Sequence, residues 1–299
     1  MRHQLEFALV WLLVKLLGLP PRAIARRVGA AIGWAAYTAV PRLRQTGMKN
    51  LALAFPATPQ AEHRKILRGV YRSLGWQLAE FCQMSRYTLP QASRFIRYEG
   101  LENYLAARQR GKGVLVLTGH IGAWELSSFY HSLAGYPMSM VIRRLDNPLV
   151  DHFVNRIRCL HGNRVLHKGD FARGLIAAMR AGETVGVLMD TNMTPPQGVF
   201  VEFFQHAACT ASGVARIALR TGAAVVPGFL AWEPSENRYV LHFLPELPLV
   251  NTRNNEQDAI ANTQLFTTAL EAIIRRYPTQ WLWVHRRWKT RPPGQPSIY

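Results

Sequence analysis

The chain has 299 residues, of which 48% are hydrophobic, and this is enough to build one large α/β domain with an added N-terminal segment and excludes a largely disordered protein. Its 36 Lys and Arg residues outnumber 18 Asp and Glu residues, so the formal net charge of +18 predicts an anionic partner: nucleic acid, a phospholipid surface or a phosphorylated substrate. Three widely separated cysteines, Cys82, Cys159 and Cys209, have neither disulfide-framework nor zinc-site spacing and are typical of reduced thiols in a cytosol-facing protein.

The N-terminal region combines short apolar stretches with positive charge. Eight apolar residues run from Phe7 to Val14, a second apolar stretch runs from Val28 to Val40, and residues 1–50 hold eight Lys or Arg but one acid, Glu6. Neither stretch is long enough to predict a confident membrane span, and no signal-peptide cleavage site follows the first one. We therefore expect residues 1–45 to form hydrophobic helices that associate with an anionic membrane, and residues 46–299 to form the main domain. Core helices are the alternative interpretation.

The central motif follows a mainly helical region, residues 41–110, that contains one short strand candidate at 94–100. Val114–Leu117 is a continuous apolar run, typical of a strand that is buried on both faces of a parallel sheet. Gly119 and Gly122 allow a sharp turn into a helix over 123–133. His120 is thereby predicted at the carboxyl end of a strand, where α/β sheets bind ligands.

The residue types in this motif suggest general-base chemistry. Glu125 follows His120 by about one helical turn and is expected to hold one imidazole nitrogen, which leaves the other free to deprotonate a hydroxyl. The alternative is that His120 is a helix-capping or satisfied core histidine.

Two later strands also end in polar residues. A strand at 138–142 precedes Arg143 and Arg144, which form a candidate phosphate clamp because guanidinium groups donate in a fork that fits phosphate oxygens. A solvated surface pair is the alternative. A strand at 184–189 precedes Asp190, so three strand ends are expected to form a site at one edge of the sheet.

The remaining pattern completes a mixed, mostly parallel α/β sheet flanked by helices. Helices are predicted at 149–160, 171–180 and 257–277, and strands at 163–166 and 199–204. Residues 209–213 are predicted to open a helix over 214–220, and strands at 223–230 and 238–244 are expected to pair antiparallel. The segment 278–288 is expected to close the core with three tryptophans.

Seven fragments stand out along the chain: Asn50-Leu-Ala-Leu-Ala-Phe-Pro56, Thr118-Gly-His-Ile-Gly-Ala-Trp-Glu125, Arg143-Arg-Leu-Asp-Asn-Pro148, Gly186-Val-Leu-Met-Asp190, Val201-Glu-Phe-Phe204, Ala218-Leu-Arg-Thr-Gly-Ala223 and Pro278-Thr-Gln-Trp-Leu-Trp-Val-His-Arg-Arg-Trp-Lys289. In this order and spacing, they resemble the bacterial lipid A biosynthesis (lauroyl/myristoyl, or late) acyltransferase family across nearly the whole chain.

The resemblance implies a glycerolipid-acyltransferase-like fold and acyl transfer to a hydroxyl of a lipid A precursor or related glycolipid, without a metal or other cofactor. The donor would be an acyl carrier protein thioester or acyl-coenzyme A, and the location the cytoplasmic face of a bacterial inner membrane. By position, His120 would be the general base and Glu125 its orienting acid. Substrate phosphates would be bound by Arg143, Arg144, Arg158 and Arg164. Asp190 would position the acceptor, although many members have Asp-Gln where this chain has Asp190-Thr191-Asn192.

Three rival functions remain open at the level of sequence. A nucleic-acid-binding protein should carry its basic residues as a stripe on one element, whereas here they concentrate at both ends of the chain. A non-catalytic membrane-peripheral binding protein would not need the His120 motif. An acyltransferase acting on glycerol phosphate or another small or phospholipid acceptor would normally have Pro-Glu-Gly where this chain has Met189-Asp190-Thr191. A covalent acyl-enzyme lacks a candidate nucleophile, because no Gly-x-Ser-x-Gly motif is present and no cysteine follows a predicted strand end.

Overall fold

The computed structural model of the protein describes residues 1–167 and 171–299 and has the expected α/β architecture. Seven strands form one sheet, and two more form a separate hairpin. The strands are β1 (Ile96–Glu99), β2 (Val114–Thr118), β3 (Ser139–Ile142), β4 (Arg164–His167), β5 (Thr184–Leu188), β6 (Gly198–Phe203), β7 (His206–Ala211), β8 (Ala224–Glu233) and β9 (Arg238–Phe243). The helices are α1 (Arg2–Gly18), α2 (Arg22–Ala39), α3 (Pro41–Ala54), α4 (Gln60–Gln83), α5 (Leu89–Ala92), α6 (Leu101–Gln109), α7 (Trp124–Leu133), α8 (Pro148–Arg158), α9 (Phe171–Arg180), α10 (Gly213–Thr221) and α11 (Asn255–Arg276).

The sheet is mostly parallel, as predicted. Its strand order is β1-β9-β8-β2-β5-β3-β4, and the β8–β9 pair alone is antiparallel. β2 lies at the centre, between β5 and β8, and the register pairs Thr118 with Leu188. Because β2 and β5 are parallel and in register at their last residues, whatever follows each strand emerges at the same point on the sheet edge.

Helices cover both faces of the sheet, which explains the continuous apolar run in β2. Leu115 and Leu117 pack into a core with α9, α10 and α11, whereas Val114 and Val116 pack into a second core with α6 and α7. Side chains alternate across a strand, so a strand covered on both faces needs apolar residues at every position.

The two N-terminal helices pack on α4. Gly29 of α2 and Gly75 of α4 let the backbones touch: a Cβ on Gly29 would lie 2.2 Å from the Gly75 carbonyl oxygen. In α1, the described burial is confined to Leu17 and Gly18, although the helix is mostly apolar. None of the helices in the described residues combines the length and apolar character needed to cross a bilayer. The division of the chain at residue 45 stays a prediction.

The predicted helix over 214–220 is confirmed as α10, which begins at Gly213 after the N-cap residue Ser212. The prediction is wrong for residues 209–211, because 206–211 form β7, antiparallel to β6. The turn between the two strands is Phe204-Gln205, with φ of 50° and 63°. Two-residue hairpin turns of this conformation normally use Asn-Gly or Gly-Gly, so the sequence lacks the usual hairpin signal. Phe204 is buried, and its packing compensates for a backbone conformation that bulky residues rarely adopt.

Candidate active site

The candidate active site begins where β2 and β5 end. His120 and Asp190 each lie two residues beyond the paired residues Thr118 and Leu188, so the register brings them together. The His120 Nδ1 atom lies 2.9 Å from Asp190 Oδ1, and the His120 main-chain N–H donates to Asp190 Oδ2 at 2.6 Å. With Nδ1 held by the carboxylate, Nε2 is the imidazole nitrogen left to accept a proton.

Two glycines make this approach possible, as the sequence predicted for the turn. A Cβ on Gly119 would lie 3.0 Å from Asp190 Oδ2, inside the space that the carboxylate needs. Gly122 has φ of 59°, and a Cβ there would lie 1.9 Å from the Leu230 carbonyl oxygen. Any side chain at Gly122 would therefore push the turn away from β8.

A tryptophan from the far end of the chain completes the surroundings of Asp190. The Trp281 indole N–H donates to Asp190 Oδ2 at 2.8 Å, and the Leu282 main-chain N–H donates to the His120 carbonyl oxygen at 3.1 Å. Trp281, Trp283 and Trp288 are each at most 1% exposed, which confirms that the tryptophans of 278–288 close the core. Sequence analysis did not predict that one of them also contacts a site residue.

Asn50, the first residue of the fragment 50–56, holds the segment 281–285 in place. Its side-chain amide donates to the carbonyl oxygens of Trp283 and His285, both at 2.7 Å. The Tyr299 hydroxyl donates to Asn50 Oδ1 at 2.5 Å. Asn50 is fully buried and therefore fixes the path of 281–285 beside the site.

The His120–Asp190 pair is electrostatically coupled. Burial alone would lower the pKa of His120, but the charge of Asp190 and its hydrogen bond outweigh burial and raise that pKa above its ordinary value. For Asp190, burial would raise the pKa, and the opposing interactions with His120 and Trp281 bring it below the usual range. Asp190 therefore stays ionised while His120 titrates.

The expected hydrogen bond between Glu125 and His120 is not found, and Asp190 takes that position instead. Glu125 forms a bidentate ion pair with Arg158, with Nε–Oε2 at 2.8 Å and Nη2–Oε1 at 2.5 Å. Glu125 lies in the first turn of α7, and its carboxylate points towards α8 rather than back over the imidazole. His120 and Asp190 each lie two residues beyond the end of their strand, β2 and β5. This equal spacing was the sequence signal that could have identified Asp190 as the hydrogen-bond partner of His120.

The predicted arginines divide into three groups. Arg158 lies in the site region through its pair with Glu125. Arg143 and Arg144 follow β3 at the same sheet edge as His120 and are exposed, and Arg143 pairs with Asp146 at 2.6 Å. Arg164 does not join them, because it begins the parallel strand β4 at the opposite edge of the sheet, where it pairs with Glu183 at 3.0 Å. The prediction for Arg164 is therefore corrected by the direction of β4.

The turn after Asp190 is fixed by paired hydrogen bonds. The Asn192 side chain donates to Thr290 Oγ1 and accepts from the Thr290 main-chain N–H, both at 2.9 Å. The Asn192 main-chain N–H donates to His285 Nε2 at 3.0 Å, so that nitrogen carries no proton and His285 is neutral. Burial also lowers the pKa of His285. These hydrogen bonds of Asn192 thus fix the turn Asp190-Thr191-Asn192 against residues 285–290.

A cavity opens beside His120, between α7 and the sheet. α7 lines it from Trp124 to His131. Trp124 and His131 are seven helical steps apart, which corresponds to a depth of about 10 Å along α7. The Glu125–Arg158 pair lies in its wall, and the remaining lining is mostly apolar. His131 contributes no charge, because burial lowers its pKa to about 3.

Among residues 1–167 and 171–299, no group of three or more His, Cys, Asp or Glu side chains is placed to hold a metal ion. The charged and titratable side chains of the site are His120, Asp190, Glu125 and Arg158.

Comparison with known proteins gives one consistent result. The model of the family described as "Bacterial lipid A biosynthesis acyltransferase" matches residues 1–290. The chain is 29% identical over 291 residues to the lipid A biosynthesis palmitoleoyltransferase of Escherichia coli K12, covering 97% of this chain and 92% of the relative. It is 29% identical over 299 residues to the lauroyltransferase of the same organism, covering 99% and 94%. It is 23% identical over 256 residues to the myristoyltransferase, covering 86% and 78%. The chain is thus an acyltransferase and belongs to the bacterial lipid A biosynthesis acyltransferase family.

Proposed function

We propose that this protein transfers a fatty acyl chain from an acyl thioester to a hydroxyl of a lipid A precursor or a related glycolipid, with His120 as the general base. The observation that carries the proposal is the His120–Asp190 pair beside a mostly apolar cavity. An ionised carboxylate on Nδ1 orients the imidazole and leaves Nε2 as the proton acceptor.

The reaction proceeds by direct transfer. His120 Nε2 takes the proton of the acceptor hydroxyl, and the oxygen attacks the thioester carbonyl to form a tetrahedral intermediate. Collapse of the intermediate breaks the C–S bond, and the imidazolium returns its proton to the departing thiolate. The products are an ester and a thiol, and His120 ends in its starting form.

Asp190 and Glu125 have different roles in this proposal. Asp190 orients His120 and stabilises the imidazolium. Glu125 positions Arg158, whose guanidinium is mostly buried in the cavity wall. A fixed cation near the reacting carbonyl stabilises the charge that develops on its oxygen. Arg143 and Arg144 are exposed at the same sheet edge and are suited to bind phosphates of the substrates.

The cavity is proposed to hold the acyl chain. Its depth of about 10 Å and its apolar walls suit a linear hydrocarbon. Relatives of this protein are named for lauroyl, myristoyl and palmitoleoyl transfer. We therefore propose that the donor thioester carries a fatty acyl group of this class. Acyl carrier protein and acyl-coenzyme A are both anionic, and the formal charge of +18 favours either carrier.

We further propose that α1 and α2 hold the enzyme on the cytoplasmic face of the inner membrane. Leu9, Leu16 and Trp34 are each at least 60% exposed, and neighbouring cations complement anionic lipids. Water is a poor environment for an apolar helix face of this kind, whereas a bilayer interface covers it.

The decisive test compares the wild type with His120→Ala in washed membranes, supplied with acyl carrier protein or coenzyme A thioesters. Lipid A precursor, phospholipid and glycerol phosphate are offered as separate acceptors, and mass spectrometry identifies the acylated product. We expect acylated glycolipid from the wild type and a loss of about 10²- to 10⁴-fold in the variant, the usual contribution of a general base.

The matched control is His152→Ala, because His152 is an exposed histidine on α8. It should retain wild-type activity. If His120→Ala kept most of the wild-type activity, the proposed role of His120 as general base would be wrong. Acylation of phospholipid or glycerol phosphate in place of glycolipid would contradict the proposed acceptor.

A further inference from the structure

A second cavity lies where α1, α4 and α8 meet. It measures about 740 Å³ including its mouth and opens to the surface. Trp11 and Val14 of α1, Cys82 of α4, and Phe153 and Ile157 of α8 supply its apolar walls. It is separate from the cavity beside His120, because Arg158 of α8 lines that cavity whereas Arg156 and Ile157 line this one.

Three cations converge on this second cavity from three parts of the chain. Lys15 comes from α1, Arg86 from the turn after α4, and Arg156 from α8. Among the described residues, none of the three forms an ion pair with a carboxylate. Arg86 is held in place by donating to the Gly18 carbonyl oxygen and, at 2.9 Å, to that of Leu19. Its remaining N–H groups and the other two side chains leave a concentrated positive charge in the cavity.

The rim of this cavity is apolar. Leu19 and Leu160 line it and are 68% and 46% exposed. A soluble phosphate ester would satisfy the cations but would leave the leucines in water. An amphiphile with an anionic headgroup satisfies both, because its phosphate meets the cations while its hydrocarbon chains cover the leucines.

From this arrangement we propose that the α1–α4–α8 cavity is a binding site for the phosphate headgroup of one anionic phospholipid, distinct from the acyl-transfer site. The bound lipid would link α1 to α8. These helices already touch through the edge-on contact of the Phe7 and Phe153 rings, whose centroids are 5.9 Å apart. The site rests on the proposed membrane association and does not depend on the proposed chemistry.

Native mass spectrometry of the full chain in detergent tests this site without relying on vesicle binding or activity. The protein is mixed with equal amounts of phosphatidylglycerol and phosphatidylcholine, and we expect one retained phosphatidylglycerol. The double variant Lys15→Gln with Arg156→Gln should bind it about 30-fold more weakly, because each cation near an anionic lipid contributes roughly five- to sixfold.

Two control variants separate a defined site from general charge. Arg27→Gln with Arg42→Gln removes the same charge from exposed positions of α2 and α3 and should retain the lipid. Lys15→Arg with Arg156→Lys keeps the charge at the cavity and should also retain it. A thermal unfolding midpoint equal to that of the wild type shows that each variant is folded.

Four results would overturn the proposal. These are no retained lipid, equal retention of phosphatidylcholine, equal weakening in the Arg27/Arg42 variant, and retention of inorganic phosphate in place of the lipid. In each case the His120 test keeps its meaning, because it measures transfer rather than lipid retention.

Discussion

Asp190 accepts hydrogen bonds from the His120 main chain, the His120 imidazole and the Trp281 indole while it is almost completely buried. A buried carboxylate is stable only when such partners compensate for its lost hydration. The same bonds fix the imidazole plane, because His120 is held at its main chain and at Nδ1. Asp190 therefore connects the geometry of the site to its protonation.

Replacing Asp190 with Asn should change the pH dependence of kcat/KM. His120 must be neutral to act as a base, so the wild-type rate should rise with pH through an apparent pKa above the ordinary 6.5 of histidine. Asp190→Asn removes the charge that raises this pKa, so the rise should move to lower pH. The plateau should fall about 10²- to 10⁴-fold, because an amide does not select and stabilise the required imidazole state as a carboxylate does. Acyl transfer measured across pH checks both effects.

Glu62→Gln is the matched control for this measurement, since Glu62 is an exposed acid on α4. It should leave both the pKa and the plateau unchanged. A rise at the wild-type pH in Asp190→Asn would show that another group titrates.

At the level of single residues, the sequence was sufficient to predict His120 and the strand-end position of Asp190. It did not predict their hydrogen bond, because that depends on the register of β2 with β5, and the two strands are separated by β3, β4 and three helices. Glu125 was close in sequence and chemically suitable. The direction of its side chain, towards Arg158, is set by helix geometry that spacing alone does not resolve.

At the level of secondary-structure elements, glycines inside strands make room for the apolar cavity. Gly186 of β5 and Gly228 of β8 both line it. A Cβ on Gly186 would meet only Met138, at 3.5 Å or more, so a longer side chain there would project into the cavity. Gly228 is more confined, because its Cβ would lie 2.8 Å from Val116.

Gly186→Leu should therefore shift the enzyme to shorter acyl chains. The leucine side chain occupies space that the end of a long chain would need, and each methylene that a pocket rejects is worth about 10- to 200-fold in kcat/KM. Competition between thioesters of different length, followed by mass spectrometry of the product, measures the ratio directly.

Gly174→Ala provides the comparison, because Gly174 lies on α9 and faces Leu166, away from the cavity. It should leave the chain-length ratio unchanged. An unaltered ratio in an active Gly186→Leu enzyme would mean that the acyl chain binds elsewhere.

Most elements of this fold could be predicted from periodicity, since apolar strand runs and helical stripes are local signals. The β6–β7 hairpin could not, because Phe204 and Gln205 form a turn that usually needs glycine or asparagine. The path of 281–285 could not either, because Asn50 fixes it from 233 residues away in the chain.

At the scale of the whole molecule, positive charge and exposed apolar surface coincide on α1 and α2. The described burial of α1 is limited to Leu17 and Gly18, so its other leucines need a partner outside the protein. The bilayer interface is the environment that we propose for this surface, because it takes up an apolar helix face while cations meet the lipid headgroups.

Replacing Leu9, Leu12 and Leu16 with Gln should release the protein from membranes. Each exposed leucine that enters the interface contributes up to about 1.5–3 kcal/mol, so losing three should reduce vesicle binding at least 10²-fold. The thermal unfolding midpoint should change little, because these side chains are exposed. Co-sedimentation with phosphatidylglycerol and phosphatidylcholine vesicles provides the measurement.

Val250→Gln with Ile260→Gln is the control, since both residues are exposed on the far part of the chain. These changes should leave vesicle binding intact. Equal release by both sets of variants would indicate a nonspecific hydrophobic association.

The contact of Trp281 with Asp190 also sets an order of events during synthesis. His120 and Asp190 leave the ribosome well before Trp281, whose indole joins Asp190 across 91 residues of sequence. Until the 281–285 segment has emerged, the carboxylate lacks one donor and the His120 main chain lacks its bond to Leu282. By then α1 and α2 have long been free to reach a bilayer. Under the proposed membrane association, the nascent enzyme thus meets the membrane before its candidate active site is complete.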